Sequence, residues 1–265
     1  MDPVPLFLMY AVLGAVSGVL AGLLGVGGGI VLVPVLVFSL ETQGVVPAIS
    51  MHMALGTSLA IIVITAMASI RAHHRRGAVD WSIVWQLTPG ILVGTFLGSG
   101  LASHLSGTSL KRLFGFFALG LAFYLAFGRP PLANRTLPRV TGMALVGSTI
   151  GCVSALMGIG GGSLSVPFMV WCNVAMRQAV ATSAALGWPI AVAGTTGYII
   201  SGWNDLHLPP MSLGYIHLPA VLAVALSSVF CAPLGARWAH TISPLLLRRL
   251  FATLLLVLGG RMLLA

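Results

Sequence analysis

Polar residues are sparse along this chain and fall in clusters, with long apolar runs between them. Residues 5–24, 46–70 and 82–103, and later 179–200 and 214–236, carry no Asp, Glu, Lys or Arg. About 20 consecutive apolar residues cross a bilayer as a helix. Strands of a membrane barrel would run about 10 residues and alternate apolar with polar positions, and no such alternation is present. The pattern predicts an all-α polytopic membrane protein of ten hydrophobic segments. Five lie in the first half, at about 5–24, 28–40, 46–70, 82–104 and 110–127. Five follow at about 138–157, 162–174, 178–200, 214–236 and 245–264.

The two halves repeat each other. "GVGGGIVLVP" (25–34) returns as "GIGGGSLSVP" (158–167), at an offset of 133 residues. Thr57-Ser58 returns as Thr182-Ser183, at an offset of 125, and "LGSGLASHLSGTSLKRLF" (97–114) returns as "LGARWAHTISPLLLRRLF" (234–251), at an offset of 137. Internal repeats of this kind are common in transporters. The expected division is a first transmembrane repeat over 1–127, a cytoplasmic linker over 128–139 and a second repeat over 140–265. An odd number of segments per half would invert the second repeat relative to the first.

Composition and charge sharpen this picture. Charged residues make up 6% of the chain and the net charge is +9, whereas soluble domains are about a quarter charged. Place "RAHHRR" (71–76) on the cytoplasmic side, and the linker, Arg177 and the loop over 237–249 follow it there. Ten of the thirteen Lys and Arg then lie inside, with Lys111, Arg112 and Arg261 outside. The excess of Lys and Arg in cytoplasmic loops accounts for the basic balance without a nucleic-acid partner. It predicts a multi-pass protein of the cell membrane with both termini outside. The loop "RAHHRRGAVD" is basic and its counterpart "SGWNDLHLPP" has no Lys or Arg, as opposite sides of a membrane would require. The pairs 5–24/28–40 and 138–157/162–174 keep the same parity whether they cross twice or re-enter. "MDPVP" lacks the basic start of a signal peptide. Neither the three cysteines nor His73-His74 has metal-ligand spacing, and no Walker motif occurs, so no metal or cofactor is expected.

Candidate chemistry centres on the doubled glycine cluster. A glycine costs a helix about 1 kcal/mol relative to alanine. Four of them in five residues predict a helix that breaks at Gly25, Gly27, Gly28 and Gly29 and restarts before Pro34. Gly158, Gly160, Gly161, Gly162 and Pro167 predict the same in the second half. Non-helical backbone at membrane depth is tolerated only where it is buried in protein or lines a wet cavity. A restarted helix presents free N–H groups and the positive end of its dipole, which suit an anion. Gly-xxx-Gly packing is the other use of such glycines, but the doubling at matched places favours a site. Thr57, Ser58, Thr182 and Ser183 sit about two turns into long helices. Their hydroxyls can donate to an anion or bond back to the i−4 carbonyl. Ser163 and Ser165 replace Ile30 and Leu32 of the first half, making the second half the more polar side. His52 and Arg177, each five residues before the Thr, can draw anions toward either mouth or simply mark the membrane boundary. The four acids, Asp2, Glu41, Asp80 and Asp205, fall at segment ends or loops, so no mid-membrane carboxylate is expected to couple H⁺ or Na⁺.

The doubled G-[VI]-G-G-G-x3-V-P, the Gly/Ala-Thr-Ser context after each copy and the [KR]-R-L-F close of each half resemble the sulfite exporter TauE/SafE family, over about residues 5–264. The resemblance implies a polytopic transporter of sulfur-containing anions such as sulfite and sulfonates. It implies substrate-binding roles for the motif residues of both halves, from Gly25 to Ser58 and from Gly158 to Ser183. An anion leaving an inside-negative cell gains about 2.3 kcal/mol per charge per 100 mV, so efflux by alternating access is expected. A channel-like anion pore is the alternative. An intramembrane enzyme fits less well: His52 and Ser58, six residues apart, lie on different helix faces and no acid supports the His. The expected partners are a small anionic substrate and the lipid bilayer, with the anion, its coupling ion and the oligomeric state left open.

Overall fold

The computed structural model describes residues 3–24, 29–128, 135–239 and 244–264. Its helices run α1 (Pro3–Leu24), α2 (Gly29–Thr42), α3 (Pro47–Arg75), α4 (Trp81–His104), α5 (Gly107–Phe127), α6 (Val140–Met157), α7 (Gly162–Trp171), α8 (Met176–Gly202), α9 (Leu218–Ala239) and α10 (Pro244–Leu264). Local chemistry fixes several of the starts. Pro47 opens α3 at a position where its missing N–H costs nothing. The Asp80 carboxylate accepts from the N–H groups of Ser82 and Ile83, and Ser106 caps α5 through the Ser109 N–H.

Among the described residues, α3, α4, α5 and α6 are long and apolar enough to cross a membrane. α7 has 10 residues, about 15 Å of helix against a hydrocarbon core of about 30 Å, and does not cross alone. α3 is buried all the way round from Ile49 to Ile62, as befits a helix at the centre of the molecule. It packs on α8, while α1 packs on α9, α4 on α6 and α5 on α10. Between apolar helices in lipid no hydrophobic force favours contact, so close backbone approach supplies the attraction. Glycines provide that approach at two seams. Cβ atoms on Gly90, Gly94 and Gly98 of α4 would strike the carbonyl oxygens of Ala144, Ser148 and Cys152 on α6. Gly14 and Gly18 of α1 lie equally close to Val224, Ser227 and Ser228 of α9. Phe116, Phe123, Phe127, Leu145 and Phe230 stay exposed and face outward.

Two features differ from the apolar pattern. The segment expected from residue 214 begins as a small hairpin, β1 (Ser212–Leu213) paired with β2 (Ile216–His217), and helix starts only at Leu218. Met211 and Gly214 take positive φ, 61° and 54°, and turn the chain there. Tyr215 Oη donates to Asp205 across this loop at 3.0 Å, and burial followed by the Asp205 carboxylate pushes its hydroxyl up to about 12. Lys111, placed on the outer side by the charge count, is buried in the first turn of α5. Its ammonium lies 2.6 Å from the Glu41 carboxylate at the end of α2, which also accepts from Ser50 Oγ at 2.7 Å.

Candidate functional site

The second glycine motif breaks the helix. Gly158 closes α6 with φ 63° and Gly161 stands at the N-cap of α7 with φ 76°. Both are left-handed conformations that glycine adopts without steric cost. Helix resumes at Gly162, and Pro167 falls inside α7. In the first half α1 ends at Leu24 and α2 begins at Gly29, with Pro34 inside it. Gly25, Gly27 and Gly28 lie outside the described residues.

The two motifs meet. A Cβ on Gly29 would stand 2.7 Å from the Gly158 carbonyl oxygen and 3.1 Å from the Cα of Ile159. Ser58 Oγ of α3 donates to the same Gly158 carbonyl at 2.8 Å. Gly160 faces Ile62 of α3 and Gly187 of α8, so both central helices touch the break. Residues 158–162 are buried throughout.

Hydrogen bonds divide the polar groups at the break into structural and available ones. The N–H groups of Gly158 and Ile159 turn back to Ala155 and Ser154, and the Gly161 carbonyl accepts from the N–H groups of Leu164 and Ser165. The N–H groups of Gly160, Gly161, Gly162 and Ser163 have no partner among the described residues. Ser163 Oγ and Ser154 Oγ are buried and equally unpartnered. Ser154 Oγ lies 3.4 Å from where a Gly161 Cβ would sit. Consecutive donors at the positive end of a helix, flanked by two hydroxyls, have the chemistry to hold a small anion.

The repeated Thr-Ser pairs are engaged differently. Thr57 Oγ1 accepts from the His217 N–H just before α9, at 3.0 Å. Thr182 Oγ1 accepts from the Asp80 N–H just before α4, also at 3.0 Å. Asp80 and His217 stand 137 residues apart, the offset of the repeated C-terminal motif, so the two bonds are counterparts. Ser165 Oγ donates its one proton to the Gly161 carbonyl at 2.9 Å and lies within hydrogen-bond distance of Ser183 Oγ, at 2.8 Å. These hydroxyls tie α3 and α8 to the loops and to the break.

His52 and Arg177 are not brought to the break. His52 is buried, with Nε2 3.0 Å from the Ala102 carbonyl and 3.1 Å from that of Leu105. It closes the negative end of α4, and its ring lies against Tyr215. Arg177 is exposed in the first turn of α8. Ser154, whose buried hydroxyl borders the break, is a residue that the sequence did not mark. Its counterpart at the motif offset of 133 is Ala21, so no repeat singles it out.

The family described as sulfite exporter TauE/SafE matches residues 10–262. A Haemophilus influenzae protein named "Probable membrane transporter protein" is 35% identical over 257 residues, covering 96% of this chain and 97% of its own. A Methanocaldococcus jannaschii protein with the same description is 28% identical over 267 residues, covering 97% of this chain and 95% of its own. A third, from Bacillus subtilis, is 29% identical over 217 residues, 74% of this chain and 79% of its own. No solved structure matches this chain significantly.

Proposed function

The chain belongs to the sulfite exporter TauE/SafE family, and from that premise we propose that this membrane transporter carries small sulfur-containing oxyanions of the sulfite and sulfonate kind outward by alternating access. The observation that carries the reading is the run of N–H groups from Gly160 to Ser163 at the start of α7, which have no partner among the described residues. Each buried polar group without a partner costs roughly 1–3 kcal/mol. An oxyanion, with several acceptor oxygens, satisfies them together. Donors without formal charge also let the anion leave without exposing a buried cation, which suits a carrier that must release its cargo. The repeated sequence gives Gly25 to Gly29 the matching role in the first half, and Pro34 and Pro167 limit the helical bonding of α2 and α7.

The reciprocal packing supports two inverted halves, 1–127 and 140–265, joined by a cytoplasmic linker. The first helix of each half packs on the fourth of the other, α1 on α9 and α6 on α4, while α3–α8 and α5–α10 pair counterpart with counterpart. Such halves can rock about a shared centre, with both termini outside the cell.

Sulfite binding to the purified protein tests the site. Gly161→Leu would force a side chain onto Ile190 at φ 76° and should abolish saturable binding. Ser163→Ala should weaken it roughly tenfold, the worth of one charge-assisted hydrogen bond. Wild-type affinity in both variants would overturn the reading.

A further inference from the structure

α6 and α7 are joined at the Gly158–Gly161 break and then part, α6 to pack on α4 and α7 on α8. The wedge between them is an apolar groove of about 330 Å³, walled by Val146, Ile150 and Val153 of α6 and by Leu164 and Phe168 of α7. Thr149 also borders it, but its hydroxyl donates to the Leu145 carbonyl at 3.0 Å, so the groove offers no free polar group. Leu145, on its rim, is 72% exposed.

The far end of the wedge is basic and aromatic. The Arg135 N–H donates to the Trp171 carbonyl at 3.3 Å, which carries residues 135–139 from α7 across to α6. The Arg135 guanidinium stacks 4.7 Å over the Trp171 ring, and Arg139 is the N-cap residue of α6. Leu164, Phe168 and Trp171 share one helix face at i, i+4 and i+7, which puts the Arg135–Trp171 pair at the groove's mouth. Both arginines are exposed, and among the described residues neither meets a carboxylate. Tryptophan favours the membrane interface, and basic pockets between membrane helices hold anionic headgroups.

We propose that this wedge is a binding site for one anionic glycerophospholipid, its phosphate on Arg135 and Arg139 and one acyl chain along the groove. From Leu145 to Val153 the groove runs about 12 Å down the helix, away from the charged mouth, as a chain entering the bilayer must. A second copy of this protein would need a free acid to match the arginines. The three acids among the described residues are all engaged: Glu41 is paired with Lys111, Asp80 caps α4, and Asp205 is held by His207 and Tyr215. A zwitterionic lipid fits the groove but brings its own cation toward the guanidinium groups.

Native mass spectrometry of the full-length protein, titrated with phosphatidylglycerol or phosphatidylcholine, tests the site. Two basic contacts give an expected preference of roughly thirtyfold for phosphatidylglycerol. Arg135→Gln with Arg139→Gln should erase the preference and leave the helical circular dichroism unchanged. Thr149→Trp, filling the groove from an exposed position, should remove the tightly held lipid altogether. Equal affinity for the two lipids, a full preference in the double variant, or a dimer that Thr149→Trp dissociates while no lipid is retained would each overturn the assignment.

Discussion

A buried hydroxyl can hold the protein together or hold a ligand, and the partners on its oxygen distinguish the two. Ser58 spends its proton on the Gly158 carbonyl, and Thr182 receives the Asp80 N–H. The Ser163 hydroxyl, in the first turn of α7, has no partner among the described residues. Hydrogen bonds between membrane helices are worth about 0.6 kcal/mol on average and up to about 1.7. Ser58→Ala and Thr182→Val should therefore lower the thermal midpoint by a few degrees while sulfite affinity changes less than threefold. Thermal unfolding alongside sulfite titration reads both, and a large affinity loss without loss of stability would move these residues into the binding site. Ser163 was visible in the sequence because the repeat sets it against Ile30. The roles of Thr57 and Thr182 were not, because their partners, the N–H groups of His217 and Asp80, lie 160 and 102 residues away. Ser154 had no repeat partner to mark it.

At the scale of helices, the apolar runs reproduce the ten helices closely, since lipid exposure demands apolar length before anything else. The hairpin over 212–217 was not legible, because Tyr215 and Ile216 continue an apolar run and only the positive φ at Met211 and Gly214 turns it. The glycines divide into two uses. Gly158 and Gly161 bend the chain, whereas Gly90, Gly94 and Gly98 bring α4 onto α6. Gly94→Leu should destabilise by at least about 1–3 kcal/mol through overpacking, seen as a lower thermal midpoint or poor insertion. Gly100, on the same helix, has open space where its Cβ would be, and Gly100→Leu should leave the midpoint within a degree or two. Equal effects of the two substitutions would remove close packing as the reason for the α4 glycines.

Across the whole molecule, the pairing of α1 with α9 and of α6 with α4 ties each half to the other, so neither half buries its small-residue faces alone. Charge bias along the chain suggested inverted halves, but the reciprocal pairing depends on contacts that no local pattern contains. The two glycine motifs come together only in the folded bundle, where Gly29 abuts Gly158 and Ile159. On the proposed reading, a centre of backbone donors with no carboxylate among the described residues would bind an anion without a coupling cation, so transport should move net charge. Labelled sulfite flux through the protein in sealed liposomes, taken at zero and at imposed membrane potential, reads this directly. A carrier of the proposed kind gives saturable flux that rises with a potential favouring anion exit. Flux that is absent, or that neither saturates nor responds to potential, is incompatible with a sulfite carrier built on the Gly160–Ser163 cradle.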